Sequence, residues 1–153
     1  MSNSPIIRKM QIEDFQQVVA LYRELVGDSK VASDLSGRKQ WQQVLSHPGT
    51  VVFGLEKDHQ LCAMTTLHVL PNMTYGGRPY GLIENVVTLG AEQGKGLGRR
   101  LMEHVIAQAW DQNCYKIMLL TGKMAGARGF YERLGFSDDE KFGMTLRRIP
   151  TRN

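Results

Sequence analysis

The sequence predicts a mixed α/β layer fold, with helices on both faces of one central sheet. Three observations carry that prediction. Helical periodicity opens the chain, and a strand-like alternation replaces it after about residue 50. Three strand-like segments separated only by turns then read as an antiparallel meander. A glycine-rich segment leads from the last of these into a helix and a further apolar strand, which reads as a parallel crossover. The predicted order is β-α-α-β-β-β-α-β-α-β.

Taken in order, Pro5–Lys9 reads as a short first strand. Ile12, Phe15, Val19, Tyr22 and Val26 recur at helical spacing, and Gly27-Asp28 closes that helix. Residues 28–39 are polar. A second helix runs from about Leu35 to Leu45, carries Trp41 and ends at His47-Pro48-Gly49. Val51–Leu55 reads as a strand. Leu61, Ala63, Leu67 and Val69 form the inward face of a longer one, and residues 80–88, YGLIENVVT, make a third. Leu97, Leu101, Val105 and Ala109 share a helix face. Lys116–Leu120 is a near-continuous apolar run, as expected of a strand covered on both faces. Residues 126–134 form a short helix stopped by Gly135, and Phe142, Met144 and Leu146 alternate in a last strand.

At 153 residues, the chain is expected to form a single domain over residues 1–153. Its 42% hydrophobic and 22% charged content is that of a globular chain. No run approaches the ~18 apolar residues of a membrane helix. The segment MSNSPIIRKMQ lacks the charge-then-apolar order of a secretory signal. No membrane partner and a cytoplasmic location are therefore expected. Cys62 and Cys114 are too few and too far apart for a disulfide scaffold or a CxxC site, and each reads as a small buried hydrophobe. His47, His59, His68 and His104 share no ligand spacing, so no metal is expected. The net charge of +4 is mild and unclustered, so no nucleic-acid partner is expected.

Gln93-Gly94-Lys95-Gly96-Leu97-Gly98 lies between a strand and a helix. Glycines there let the backbone adopt positive φ and approach a ligand closely. The N–H groups of a helix start hold phosphate oxygens without side chains. A Walker loop is excluded, since Leu89 stands where its first glycine belongs and Gly96 follows Lys95. A dinucleotide fingerprint counted from Gly94 would need glycine at Arg99, so it also fails. Glu84 shares a strand face with Leu82 and Val86. A carboxylate among apolar neighbours is costly, and desolvation there suits a general base. The alternatives are a salt bridge or a water-facing edge. Asn85 points to the opposite face if the strand is regular.

The pattern Q-x-x-G-x-G at Gln93, Gly96 and Gly98, with GFYERLGF at residues 129–136, resembles the GNAT superfamily of acyl-CoA N-acyltransferases. The resemblance implies acetyl-CoA as co-substrate and no metal. It implies a strand splayed from its neighbour, whose backbone at Val86, Val87 and Thr88 pairs with the pantetheine arm. Gln93, Gly94, Lys95, Gly96, Leu97, Gly98 and Arg99 would hold the pyrophosphate. For Lys95 and Arg99, phosphate contact and simple solvation are equally open, while Arg100 reads as solvated. Tyr131 would approach the coenzyme sulfur as general acid, beside Phe130 and Phe136 as core.

Residues 83–87 and 113–117 resemble the glucosamine-phosphate N-acetyltransferases in particular. Those carry an acidic residue where this chain has Asn85, and Asn where it has Ala127. The cofactor therefore carries over and the acceptor does not. The expected activity is direct acetyl transfer to a primary amine of a small molecule in a ternary complex. The alternatives are a protein Lys or N-terminal acetyltransferase, or a non-catalytic coenzyme A-binding sensor. A homodimer is left open. His68 reads as a hydrogen-bonded residue, Trp41 as core and Tyr75 as loop surface.

Overall fold

The computed structural model describes residues 4–123 and 126–150. The chain divides into two compact units, Met1–Leu119 and Leu120–Asn153. The first holds β1 (Ile6–Lys9), α1 (Phe15–Val26), α2 (Leu35–Ser46), β2 (Thr50–Lys57), β3 (Gln60–Leu70), β4 (Tyr80–Thr88), α3 (Leu97–Asp111) and β5 (Ile117–Met118). The second holds α4 (Ala127–Glu132). Among the described residues, no helix is long and apolar enough to cross a membrane.

The sheet order is β1-β2-β3-β4-β5, with β1 to β4 antiparallel and β5 parallel to β4. The meander and the crossover are both as the periodicity predicts. Alternation sends Val52 and Phe53 to opposite faces. Val52 joins Val18, Leu21, Trp41, Leu61, Met64 and Val87 in the core beneath α1 and α2. Phe53 meets the His104 ring of α3 edge-on at 5.5 Å. Helices therefore cover both faces, and the polar residues at 28–34 mark the turn between α1 and α2. Asp34 caps α2 by accepting from Gly37 N–H at 3.0 Å. Cys62 and Cys114 are buried free thiols.

Two predicted elements differ. The strand expected over Lys116–Leu120 shrinks to Ile117–Met118, and Met118 is 37% exposed rather than covered. The strand expected at Phe142, Met144 and Leu146 is absent, and all three side chains are exposed. Alternating hydrophobicity makes a strand only where a neighbouring edge takes up its backbone groups. In the second unit α4 ends as predicted at Gly135, which has φ +95°. The N–H groups of Gly135 and Phe136 donate to the carbonyls of Glu132 and Tyr131, the Schellman arrangement.

Candidate active site

The site is built on β4. Its register against β3 slips between Met64 and Thr66, so Thr65 faces an extra residue. That extra residue is accommodated at Asn85, whose φ of 55° lies in the left-handed region. Asparagine tolerates this better than a branched residue would. Asn85 is therefore not on the face opposite Glu84 in a regular strand, as its sequence position implied. The strand is bulged there.

Along its other edge, β4 pairs with β5 only at Gly81 and Leu82. Beyond Leu82 the two strands part. Leu89 N–H donates to Cys62 carbonyl on the β3 side at 2.9 Å. Alternation then turns the backbone groups of Val86 and Thr88 toward the open edge, while those of Val87 face β3. The Val87 side chain is buried in the core under α1.

The glycine loop follows. Gly94 and Gly96 have φ of 74° and 77°, and a Cβ at either would meet nothing within 4 Å. Glycine is required there by backbone conformation, and the space above stays open. Gly96 is the N-cap of α3 and supplies no side-chain cap, so the first N–H groups of this 15-residue helix have no such partner. The Gln93 side chain donates to Thr88 carbonyl at 3.1 Å and ties the loop to the end of β4. Leu97 packs inward at 8% exposure, so only its backbone faces a ligand. Lys95 lies 3.2 Å from Glu92 and Arg99 donates to Glu103 at 2.8 Å. Lys95, with Lys57, holds the Glu92 carboxyl below the usual range. Arg100 is exposed and makes no side-chain hydrogen bond or ion pair among the described residues.

Glu84 is exposed, which corrects the expectation of an apolar enclosure. The reason is the splay: past Leu82, β4 has a neighbour on one edge only. Glu84 stands directly across from Thr66, and the Thr66 hydroxyl neighbours the Tyr22 phenol of α1. Burial pushes the Tyr22 phenol up, with Thr66 opposing. The sequence reading took Tyr22 only as an apolar helix position. A phenol in place of an aliphatic side chain there was the one signal of a buried polar partner.

His68 is hydrogen-bonded, as expected. Its Nδ1 lies 2.8 Å from Thr50 Oγ1, which is also 2.8 Å from His47 Nδ1. Trp41 is core at 4% exposure, and its indole N–H donates to Gln11 carbonyl at 3.1 Å. Tyr75 is 70% exposed and stacks on Tyr115. In the second unit, half-buried Tyr131 has Phe130 and Phe136 edge-on at 5.1 and 6.0 Å. Both phenylalanines are half-buried rather than full core. Burial pushes the Tyr131 phenol up, so its hydroxyl is neutral at physiological pH. Among the described residues, no group of three or more His, Cys, Asp or Glu could hold a metal ion.

A bulged, half-released strand running into a glycine loop and a helix start is a scaffold for an extended, phosphorylated ligand. The model of the Acetyltransferase (GNAT) family matches residues 12–136. The chain belongs to that family. It is 33% identical over 92 residues to a glucosamine 6-phosphate N-acetyltransferase of Trypanosoma brucei brucei, covering 60% of this chain and 61% of that protein. The match thus spans less than two thirds of that curated relative. A candidate acetyltransferase from Agrobacterium tumefaciens str. C58 superposes with TM-score 0.87 at 36% identity, over 94% of this chain and 99% of the other. Glucosamine-6-phosphate N-acetyltransferase from Arabidopsis thaliana shares the fold, with TM-score 0.83 at 21% identity over 96% and 100%.

Proposed function

We propose that this chain is an N-acetyltransferase that moves the acetyl group of acetyl-CoA directly to a primary amine of a small molecule in a ternary complex. One observation carries the reading: the open edge of β4 leads through a 3-10 turn at Gly90–Glu92 and the glycine loop to the start of α3, which has no side-chain cap. The family uses acetyl-CoA, whose arm and pyrophosphate need those two features in that order. The two compact units are read as parts of one domain, because the family match runs across their boundary.

The roles follow from the chemistry. Backbone groups at Val86 and Thr88 hold the pantetheine arm, while Val87, whose groups pair with β3, holds the strand in place rather than the ligand. Residues 93–99 hold the pyrophosphate through their N–H groups. Glu84 takes the proton of the acceptor ammonium, directly or through a water. The free amine attacks the thioester carbon, and the oxyanion is met by a backbone N–H of β4. The carbon–sulfur bond then breaks, the nitrogen sheds its remaining excess proton as the amide forms, and the leaving thiolate takes up one proton, with Tyr131 donating a hydrogen bond or relaying that proton.

The test is thiol release over a panel of amines with wild type and Glu84→Gln. Glu84→Gln is expected to fold normally, to bind acetyl-CoA as the wild type does and to turn over about 10²–10⁴-fold more slowly. Wild-type turnover in the variant would remove Glu84 from the chemistry. No thiol release with any amine, despite bound acetyl-CoA, would leave a binding module.

A further inference from the structure

We propose that the cleft between α1 and α2 seats the acceptor and selects a primary amine carried on an apolar or aromatic body. This rests on the acetyl-transfer reading above. The cleft encloses about 310 Å³, at the lower end of the ~300–1,000 Å³ of small-molecule sites. Its walls are apolar and aromatic, with Phe15 and Tyr22 of α1 facing Trp41 and Val44 of α2. Exposed Lys30, in the turn between the helices, is the only charged side chain of the lining among the described residues.

The cleft leads to the chemistry. Asn85 is part of its lining, brought there at the bulge of β4, and Glu84 is the preceding residue. Tyr22, in the opposite wall, neighbours Thr66, which stands across the ladder from Glu84. An amine whose body fills the cleft therefore presents its nitrogen at the bulge, beside the carboxylate and the open edge of β4.

The same walls disfavour a sugar phosphate. Such a ligand carries a hydroxyl on nearly every carbon and a dianion at one end. Each of these groups loses water on entry and must find a partner. Among the described residues the cleft offers two amide side chains, one phenol beside Thr66, and one exposed ammonium. An apolar body asks for none of them and gains by burial. The discrimination lies in the unpaired polar groups that the wrong ligand would leave.

The experiment compares 2-phenylethylamine with glucosamine 6-phosphate as acceptors in the thiol-release assay. A second arm titrates each into a Trp110→Phe background, where Trp41 is the remaining indole and reports on cleft occupancy apart from turnover. The expected result is a kcat/KM for 2-phenylethylamine about tenfold or more above that for glucosamine 6-phosphate, with a shift in Trp41 emission. Val31→Asn and Val44→Asn, at half-buried lining positions, should each raise KM for 2-phenylethylamine by about tenfold. They should leave kcat and the acetyl-CoA-induced rise in Tm unchanged. Preference for glucosamine 6-phosphate, or an unmoved KM in both variants, overturns the cleft assignment and leaves acetyl transfer standing. Thiol release with neither probe but with other amines does the same. Thiol release with no amine at all overturns both readings.

Discussion

The β2–β3 hairpin and the β4–loop–α3 segment are built on opposite terms. From Thr50 opposite His68 to Lys57 opposite Gln60, β2 and β3 are paired along their length. Leu55, Ala63, Met64 and Leu67 there are at most 1% exposed. The ladder slips only once, between Leu55 and Glu56, where Cys62 is the extra residue, and the side chains between the helices supply the burial. β4 is committed on its β3 edge and released on the other after Leu82. Its continuation keeps two glycines at positive φ and a helix start without a side-chain cap. The stable half holds the shape, and the segment beside it has an edge without a partner strand past Leu82 and a helix start without a side-chain cap. Local stability given up there is what a binding edge requires.

The comparison can be broken at three points. The largest expected effect is on turnover, at Tyr131 in the second unit. Its phenol is raised by burial, so in the proposed mechanism it would act as a neutral donor to the leaving thiolate rather than as a strong acid. Tyr131→Phe keeps the ring that Phe130 and Phe136 flank and removes only the hydroxyl. The rate of acyl transfer is expected to fall by about 10²–10⁴-fold with acetyl-CoA affinity nearly intact. Single-turnover kinetics check this. An unchanged rate, with acyl transfer limiting, would leave Tyr131 as packing.

The next effect is on binding. Gly96 stands at φ 77° and caps α3 with no side chain. Gly96→Asp strains that conformation and puts a negative charge where phosphate is expected. Acetyl-CoA at 100 times its dissociation constant should stabilise the wild type by ~2.7 kcal/mol, and most of that should vanish in the variant. Differential scanning fluorimetry with and without acetyl-CoA reads it. Equal rises in Tm for both proteins would mean the open segment is not the coenzyme site.

The same contrast explains what the sequence could reveal. The glycine loop was legible because residue type and conformation coincide: Gly94 and Gly96 stand where φ is positive. The meander was legible because burial on β2 and β3 follows side-chain alternation. The bulge was not, since Asn85 leaves the β region through a register slip that no single residue announces. The exposure of Glu84 was missed for the same reason, because it depends on where β5 departs. The Tyr22–Thr66 contact joins elements far apart in the chain, so periodicity placed Tyr22 on the right face without its partner. Phe142, Met144 and Leu146 alternate as strand residues do, yet a strand also needs a free edge to join.

The smallest effect lies in the committed half and is read by pH. Arg8 of β1 donates to both carboxylate oxygens of Asp14 at 2.8 Å and to Glu56 of β2 at 2.8 Å. Asp14 also accepts from Gln11 N–H at 2.7 Å. The Arg8 guanidinium holds the Asp14 carboxyl below the usual carboxylate range, against the opposing pull of burial. A carboxyl with a lowered folded pKa stabilises fully above its unfolded pKa of ~3.9 and loses that contribution as pH falls through the folded value. Wild type should therefore keep its stability down to about pH 4 and lose part of it below. Asp14→Asn removes one of the two carboxylates that Arg8 engages and replaces one acceptor oxygen by an NH2 donor, and should cost about 1–3 kcal/mol at pH 7. Its stability should also fall less steeply than that of the wild type in the acid range. The acetyl-CoA-induced rise in Tm at pH 7 should be the same in both proteins, since the network joins β1, β2 and the start of α1 and touches no part of the β4 edge. An Asp14→Asn protein with wild-type stability at pH 7 would mean that the pair only breaks even against its desolvation. A changed response to acetyl-CoA would mean that the committed and the open halves are coupled rather than divided in their tasks.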